Sequence, residues 1–164
     1  MPKPLAKFAI GLTLAALLAA GCDRGDHPNN IDKPAPHFVV SDGANSADLT
    51  KLRGRIVVLN LWATNCAPCV EELPSLLELQ KKMPQLAIVA VSWDEDPTAY
   101  QNFLTRHHVD LLTIRDPDQS VANLYGTKLI PETYIIDRQG ILRRKFVSAQ
   151  DWTSPEILNY LSKL

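Results

Sequence analysis

The hydrophobic residues of this chain fall into short uninterrupted runs and into longer stretches where they recur at helical spacing. Residues 56–62 and 86–93 are rich in β-branched and large apolar side chains and contain neither Gly nor Pro, which is the composition of strands buried on both faces. Between them, apolar residues mark one face of a helix: Val70, Leu73, Leu76, Leu77 and Met83. A strand, a helix and a second strand of this kind predict a right-handed crossover with parallel strands.

A β-hairpin is predicted on each side of this unit. Residues 37–41 and 46–49 flank a turn at Asp42-Gly43, and residues 133–137 and 141–147 flank a turn that ends in Gly140. The remaining apolar segments predict a helix over 97–107, a short strand over 111–115, and helices over 118–125 and 153–164. The sequence therefore predicts an α/β fold, with a mixed central sheet, flanking helices, an N-terminal hairpin, and a C-terminal hairpin followed by a helix.

The first 21 residues have the pattern of an export signal. Two lysines precede an apolar core over 8–20, which has the length of a signal peptide's hydrophobic region and is too short to span a bilayer comfortably. The core runs into Gly21-Cys22, which resembles the cleavage site of bacterial lipoproteins, where the cysteine becomes the lipidated first residue. We therefore expect a lipoprotein-type signal peptide over 1–21 and lipid attachment at Cys22, with ordinary secretory cleavage and an uncleaved anchor as alternatives.

The segment after this signal is polar and rich in turn-forming residues, so we expect a flexible tether over 22–36 and a domain over 37–164. The whole chain has a formal net charge of −1 and no basic cluster. This charge pattern argues against nucleic acid as a partner.

Two cysteines stand at the turn between the first buried strand and the helix. The segment from Leu59 to Glu72 reads LNLWATNCAPCVEE, and we expect the helix to begin at Cys66, with Pro68 in its first turn, where a missing N–H costs nothing. The unpaired N–H groups and the positive end of the helix dipole then favour a thiolate at Cys66. The pattern predicts that Cys66 is a nucleophile and that Cys69 resolves the mixed disulfide.

Neither a zinc site nor a static disulfide explains the pair as well. A tetrahedral zinc site needs two more Cys or His ligands at comparable spacing, whereas Cys22 lies far upstream and His107 and His108 are adjacent. A disulfide between Cys66 and Cys69 closes so short a loop that it constrains the unfolded chain little. We therefore expect a redox-active disulfide and no metal or other cofactor.

Three passages resemble a known family: VVLNLWATNCAPC, IVAVSWDED and YGTKLIPETYIIDRQG. With their connections they cover roughly residues 34–164, and they are similar to the TlpA/ResA/DsbE group of membrane-anchored thiol-disulfide oxidoreductases of the thioredoxin-fold family. The resemblance implies a thioredoxin-like fold and a cis bond between Ile130 and Pro131. Such a bond would present the backbone of Ile130 opposite Cys66, where an extended substrate segment can pair with it.

The same resemblance implies roles for several other side chains. Glu72 lies on the helical face of Cys69 and matches a glutamate of ResA-like proteins, so we expect a proton acceptor or tuning group; a solvated surface glutamate is the alternative. Thioredoxin has a buried aspartate at the position of Asn60, which cannot accept a proton as a carboxylate would. Glu95 matches a second acidic position near the active site of the group, where it would contact substrate; a plain loop carboxylate is the alternative.

Trp62 is expected to lie under the active-site loop and to be one of the substrate-binding residues.

This chain departs from the family pattern immediately before the first cysteine. Most relatives have tryptophan there, and this chain has Asn65, so substrate docking or the reduction potential should differ. Trp93 lines the same groove or belongs to the core.

The function expected from these features is reduction of disulfides in client proteins at the periplasmic or outer side of the cytoplasmic membrane. The resemblance suggests an apocytochrome c as client, before haem attachment, and a membrane electron donor of the DsbD/CcdA kind. Two alternatives remain open. The protein would be an oxidant or isomerase of secreted proteins if the same exchange ran in reverse. It would be a non-catalytic assembly factor if the two thiolates bound Cu(I) together with a histidine. A peroxidase of the peroxiredoxin type is disfavoured, because Thr64 is one residue too close to Cys66 for that active-site pattern.

Overall fold

The chain is described by a computed structural model over residues 30–164. Its strands are β1 (Val39–Ser41), β2 (Ser46–Asp48), β3 (Val57–Trp62), β4 (Ala87–Ser92), β5 (Leu112–Arg115), β6 (Glu132–Ile136) and β7 (Leu142–Val147). Its helices are α1 (Ala67–Lys82), α2 (Pro97–Arg106), α3 (Ser120–Tyr125) and α4 (Pro155–Ser162), with a 3-10 helix over Leu49–Leu52. This order confirms the predicted α/β architecture.

The two runs predicted as buried strands lie side by side in a five-stranded sheet of order β5-β4-β3-β6-β7. Strands β3, β4 and β5 are parallel, whereas β6 and β7 are antiparallel to their neighbours, so the sheet is mixed. At one edge of the sheet, Trp62 ends β3 opposite Ser92 of β4, and Leu61 pairs with Glu132 of β6. The turn into α1 and the loop into β6 therefore meet at this edge.

Helices cover one face of the sheet, and the N-terminal hairpin with α3 covers the other, which explains why every residue of β3 and β4 is buried. The first face is filled by Leu73, Leu76 and Leu79 of α1, Tyr100 and Phe103 of α2, and Ile157 and Leu161 of α4. The second is filled by Phe38, Val40 and Ala47 of the hairpin and Val121, Ala122 and Tyr125 of α3. Each fully buried Leu or Ile contributes about 1.5–3 kcal/mol relative to exposure.

The structure corrects the expected end of the tether at residue 36. The backbone N–H of Asp32 donates to the carbonyl of Leu142 at 2.7 Å, and that of Ala35 donates to Gly140 at 3.0 Å. Residues 32–35 therefore already pair with the turn and the start of β7, and Ala35 is buried in the core. The polar and proline-rich composition predicts a flexible segment, but its residues other than proline keep backbone N–H groups, and all of them keep carbonyl groups, that can pair with a strand.

The predicted signal peptide, the lipid-attachment residue Cys22 and the first part of the tether lie outside the described residues. Within 30–164, no helix combines the length and the apolar character that crossing a membrane requires.

Candidate active site

The two cysteines occupy the start of α1, directly beyond the buried end of β3. Cys66 is the N-cap residue, and its sulfur accepts a hydrogen bond from the backbone N–H of Cys69 at 3.3 Å. A disulfide joins the two side chains. Pro68 lies in the first turn, where the helix has no carbonyl acceptor for an N–H. The predicted helix start at Cys66 is confirmed.

The two sulfur-bearing residues differ in access to solvent. Cys69 is 2% exposed, whereas Cys66 is only partly buried. After reduction, the Cys66 sulfur lies where the free N–H groups and the dipole of α1 stabilise negative charge. An incoming disulfide therefore reaches Cys66 first, and Cys69 is placed to attack from inside the helix.

The loop before β6 lies opposite the exposed cysteine. The Ile130–Pro131 bond is cis, as the resemblance implied, and the carbonyl oxygen of Ile130 lies 3.7 Å from the Cys66 sulfur. Pro131 is buried, while the neighbouring Leu129 is 75% exposed. An extended client segment that reaches Cys66 therefore meets the backbone of Ile130 and the apolar side chain of Leu129.

Glu72 is buried beneath the disulfide-bearing turn, with 3% exposure, and is not a surface glutamate like the exposed Glu71. Its Oε1 accepts a hydrogen bond from Asn60 Nδ2 at 2.8 Å. Its Oε2 accepts from the backbone N–H of Gln150 at 3.1 Å and from Trp152 Nε1 at 3.2 Å. The carboxylate is thus held by three donors from two parts of the chain: Asn60 in β3, and Gln150 and Trp152 in the segment between β7 and α4.

Burial raises the pKa of Glu72 above its ordinary value, and the hydrogen bonds from Gln150, Asn60 and Trp152 oppose this rise without cancelling it. A carboxylate with a raised pKa takes up a proton more readily than an exposed one. Glu72 lies three residues after Cys69, on the same face of α1. The position suits a proton acceptor for the resolving thiol.

Asn60 lies next to Glu72 at the position where thioredoxin has its buried aspartate. Its amide donates to Glu72 Oε1 and also to Thr133 Oγ1 at 2.9 Å. An aspartate at this position would place a second carboxylate against Glu72. The amide instead donates a hydrogen bond to the Glu72 carboxyl group.

Trp62 is too deeply buried to bind substrate, contrary to the expectation. Its side chain is 2% exposed and packs against Tyr100 and Phe103 of α2, with ring centroids 6.3 and 5.6 Å apart. A client at the protein surface therefore does not contact this ring. Trp62 supports the active-site turn from below, as the other part of the expectation stated.

An aspartate that the sequence analysis passed over holds the turn before Cys66. Asp94 Oδ2 accepts a hydrogen bond from the Thr64 backbone N–H at 3.0 Å, and Asp94 Oδ1 accepts from the Thr64 hydroxyl at 2.5 Å. The neighbouring Glu95 is exposed, and within residues 30–164 its carboxylate forms no hydrogen bond or ion pair. Its position just after β4, next to the strand that leads into the cysteines, was the signal that could have identified Asp94.

A buried ion pair, also missed from the sequence, lies directly behind the loop of Pro131. Glu132 Oε1 lies 2.7 Å from Lys145 Nζ, with both side chains less than a tenth exposed. The hydroxyl of Tyr134 donates to Glu132 Oε2 at 3.0 Å and lies 2.8 Å from Thr127 Oγ1. This network ties the first residue of β6 to β7 and to the start of the loop.

Asn65 is exposed beside Cys66 and opens onto a cleft of about 530 Å³ between the active-site turn and α2. Asn102, Phe103 and Arg106 line the opposite wall. Trp93 packs against the core on the hairpin side of the sheet and is not among the residues that line this cleft.

No three His, Cys, Asp or Glu side chains in the described part of the chain are close enough together to hold a metal ion.

The fold and the disulfide at the start of α1 define the class: a thioredoxin-fold protein with a site for thiol-disulfide exchange. Among solved structures, the fold is similar to the crystal structure of a protein assigned as DsbE from Chlorobium tepidum, with a TM-score of 0.69 and 26% identity, over 79% of this chain and 91% of that one.

Sequence comparison narrows the class. A model of the AhpC/TSA family matches residues 31–145. The thiol-disulfide oxidoreductase ResA of Bacillus thuringiensis is 32% identical over 137 residues, which cover 82% of this chain and 78% of the relative. The thiol:disulfide interchange protein DsbE of Pseudomonas aeruginosa is 33% identical over 154 residues, covering 90% and 84%. The chain belongs to the AhpC/TSA family, and its ResA and DsbE homologues are thiol-disulfide oxidoreductases.

Proposed function

We propose that this thiol-disulfide oxidoreductase reduces disulfides in client proteins outside the cytoplasm, while a lipid on Cys22 holds it at the membrane. One observation carries the enzymatic part of the proposal: a disulfide of unequal exposure at a helix start, with Ile130 on its outer side and the buried Glu72 on its inner side. The leader-like segment 1–21 supports the location.

The proposed cycle begins with both cysteines reduced. The thiolate of Cys66 attacks one sulfur of the client disulfide, a mixed disulfide forms, and the other client sulfur leaves as a thiolate that takes up a proton. The Cys69 thiol gives its proton to Glu72 and attacks the Cys66 sulfur. The bond between Cys66 and the client then breaks, so the client gains two electrons and the enzyme keeps the disulfide.

The resemblance to the ResA and DsbE group supports two finer parts of the proposal. An apocytochrome c that awaits its haem would be the client, and a membrane protein of the DsbD/CcdA kind would return two electrons to the Cys66–Cys69 disulfide. Asn65, where the resemblance places tryptophan in most relatives, makes the client preference of this chain a property to be measured directly.

The reduction potential tests the direction of electron flow. The domain is equilibrated with glutathione buffers of stepped ratio, free thiols are alkylated, and the oxidised fraction is counted by mass spectrometry. A reductant has a potential below that of its compartment; a value of about −120 mV, typical of the strong oxidant DsbA, would reverse the proposal.

Copper binding tests the non-catalytic alternative. Reduced protein and the Cys66→Ser variant are titrated with Cu(I) in competition with a chelator. The reductase proposal expects no more than incidental binding, whereas tight Cu(I) binding together with a lack of disulfide exchange would favour an assembly factor.

A further inference from the structure

Trp152 lies in the segment between β7 and α4 and reaches the buried side of the redox site. It is fully buried, and its Nε1 donates to Glu72 Oε2 at 3.2 Å. Its ring packs edge-on against Phe146, with centroids 5.3 Å apart, and its backbone N–H donates to Ser75 Oγ at 3.1 Å. These contacts hold Trp152 against α1 through Glu72 and Ser75, and against β7 through Phe146.

The hydrogen bonds at Glu72 leave one position open for a proton. A carboxylate offers about four lone-pair positions, and backbone and indole N–H groups can only donate. The Gln150 N–H and Trp152 Nε1 occupy Oε2, and the amide of Asn60 occupies one position on Oε1. A proton that arrives at Glu72 therefore binds the remaining position of Oε1.

We propose that Trp152 is a positioning residue for thiol-disulfide exchange: its indole N–H holds the Glu72 carboxylate in the orientation in which Oε1 receives the proton of Cys69. The proton moves from the Cys69 sulfur to Oε1, and the resulting thiolate attacks Cys66 while the client sulfur leaves. This inference rests on the proposed role of Glu72 as proton acceptor.

The donors also set how readily Glu72 is protonated. Burial raises the pKa of Glu72, and Trp152 is one of three donors that oppose the rise. Removal of the indole N–H leaves the burial unchanged and takes away one stabilising contact of the ionised form. The pKa of Glu72 should rise further, and the resolving step should need a higher pH.

The Trp152→Phe variant tests the inference, because phenylalanine fills much of the same space without the N–H. Reduced protein carrying ¹³C-labelled glutamate is titrated by NMR, and the rate at which the mixed disulfide resolves is measured from pH 5 to 9. We expect the Glu72 midpoint and the pH at half-maximal rate both to rise by about one unit, the size expected for a hydrogen bond to a charged group. Benzothienylalanine at position 152, which keeps the indole shape without the N–H, serves if the phenylalanine variant does not fold.

Two controls separate positioning from general destabilisation. Trp93→Phe removes an indole N–H that has no hydrogen-bond partner among residues 30–164 and should leave the Glu72 midpoint unchanged. In a Glu72→Gln background, Trp152→Phe should cause no further change in rate, and an additional loss there would overturn the inference.

The remaining outcomes distinguish the inference from the function it rests on. An unchanged Glu72 midpoint in Trp152→Phe overturns the inference and leaves the proposed cycle intact. A shifted midpoint with an unshifted rate profile overturns both the inference and the role of Glu72 as proton acceptor.

Discussion

The ammonium of Lys145 lies 2.7 Å from the Glu132 carboxylate, and neither side chain is more than a tenth exposed. Lys145→Met should therefore leave a buried carboxylate without its cation, at a cost of about 3–5 kcal/mol. Chemical denaturation at pH 7 measures this cost. The double variant Lys145→Met/Glu132→Gln should recover much of the loss, because it removes the charge itself; a single variant as stable as the parent would show that the pair does not anchor β6.

Asp94 should control the rate of exchange through the turn before Cys66. In Asp94→Ala the Thr64 N–H loses its acceptor, the turn is less well fixed, and the rate toward a small disulfide should fall by roughly tenfold or more. Glu95→Ala is the matched comparison, since the Glu95 carboxylate forms no hydrogen bond within residues 30–164. Glu95→Ala should leave the exchange rate with the small disulfide unchanged, and it should lower the rate with protein clients only if Glu95 contacts them. An equal loss of rate for both variants on the small disulfide would contradict the role assigned to Asp94.

The two thiols of the reduced protein should react at different rates. Cys66 is partly exposed at the start of α1, and Cys69 is 2% exposed, so iodoacetamide at pH 7 should label Cys66 at least about tenfold faster. Peptide mass spectrometry over time gives both rates. Unfolded protein provides the reference, because there the two rates should converge; faster labelling of Cys69 in the folded protein would reverse the assigned roles.

Asp137 should contribute to stability at neutral pH and lose that contribution in acid. Burial alone would raise the pKa of Asp137, but hydrogen bonds from the Ile141 N–H and from Arg143 outweigh it and hold the pKa below its usual range. Because the folded-state value lies below the unfolded one, the contribution is complete above the unfolded value near 4 and declines as pH falls through the folded value. Asp137→Asn should therefore be less stable at pH 7 and lose less stability between pH 5 and 2. Parallel stability curves would contradict this.

The parts of the fold that the sequence predicted are those with strong local signals. Strand β3, helix α1 and the start of that helix at Cys66 follow from an uninterrupted apolar run, helical spacing and a first-turn proline. The end of the tether was misplaced because residues 32–35 are held by backbone pairing with the turn after β6, and composition carries no signal for such pairing.

The surroundings of the cysteines depend on contacts between distant segments. Trp152 lies 80 positions from Glu72, and Asp94 lies 30 positions from Thr64. No periodicity connects residues so far apart, so the sequence could suggest Glu72 but not the groups that hold it. Resemblance also placed Trp62 among the substrate-binding residues, whereas the close packing of α2 buries it.

Trapping of the mixed disulfide tests the central claim most directly. Reduced Cys69→Ser and Cys66→Ser variants are mixed separately with a disulfide-containing protein, and covalent complexes are resolved on a non-reducing gel and mapped by mass spectrometry. The account predicts that Cys69→Ser accumulates a complex through Cys66, while Cys66→Ser forms little or none. A complex that forms mainly through Cys69, or no complex with either variant, would contradict it.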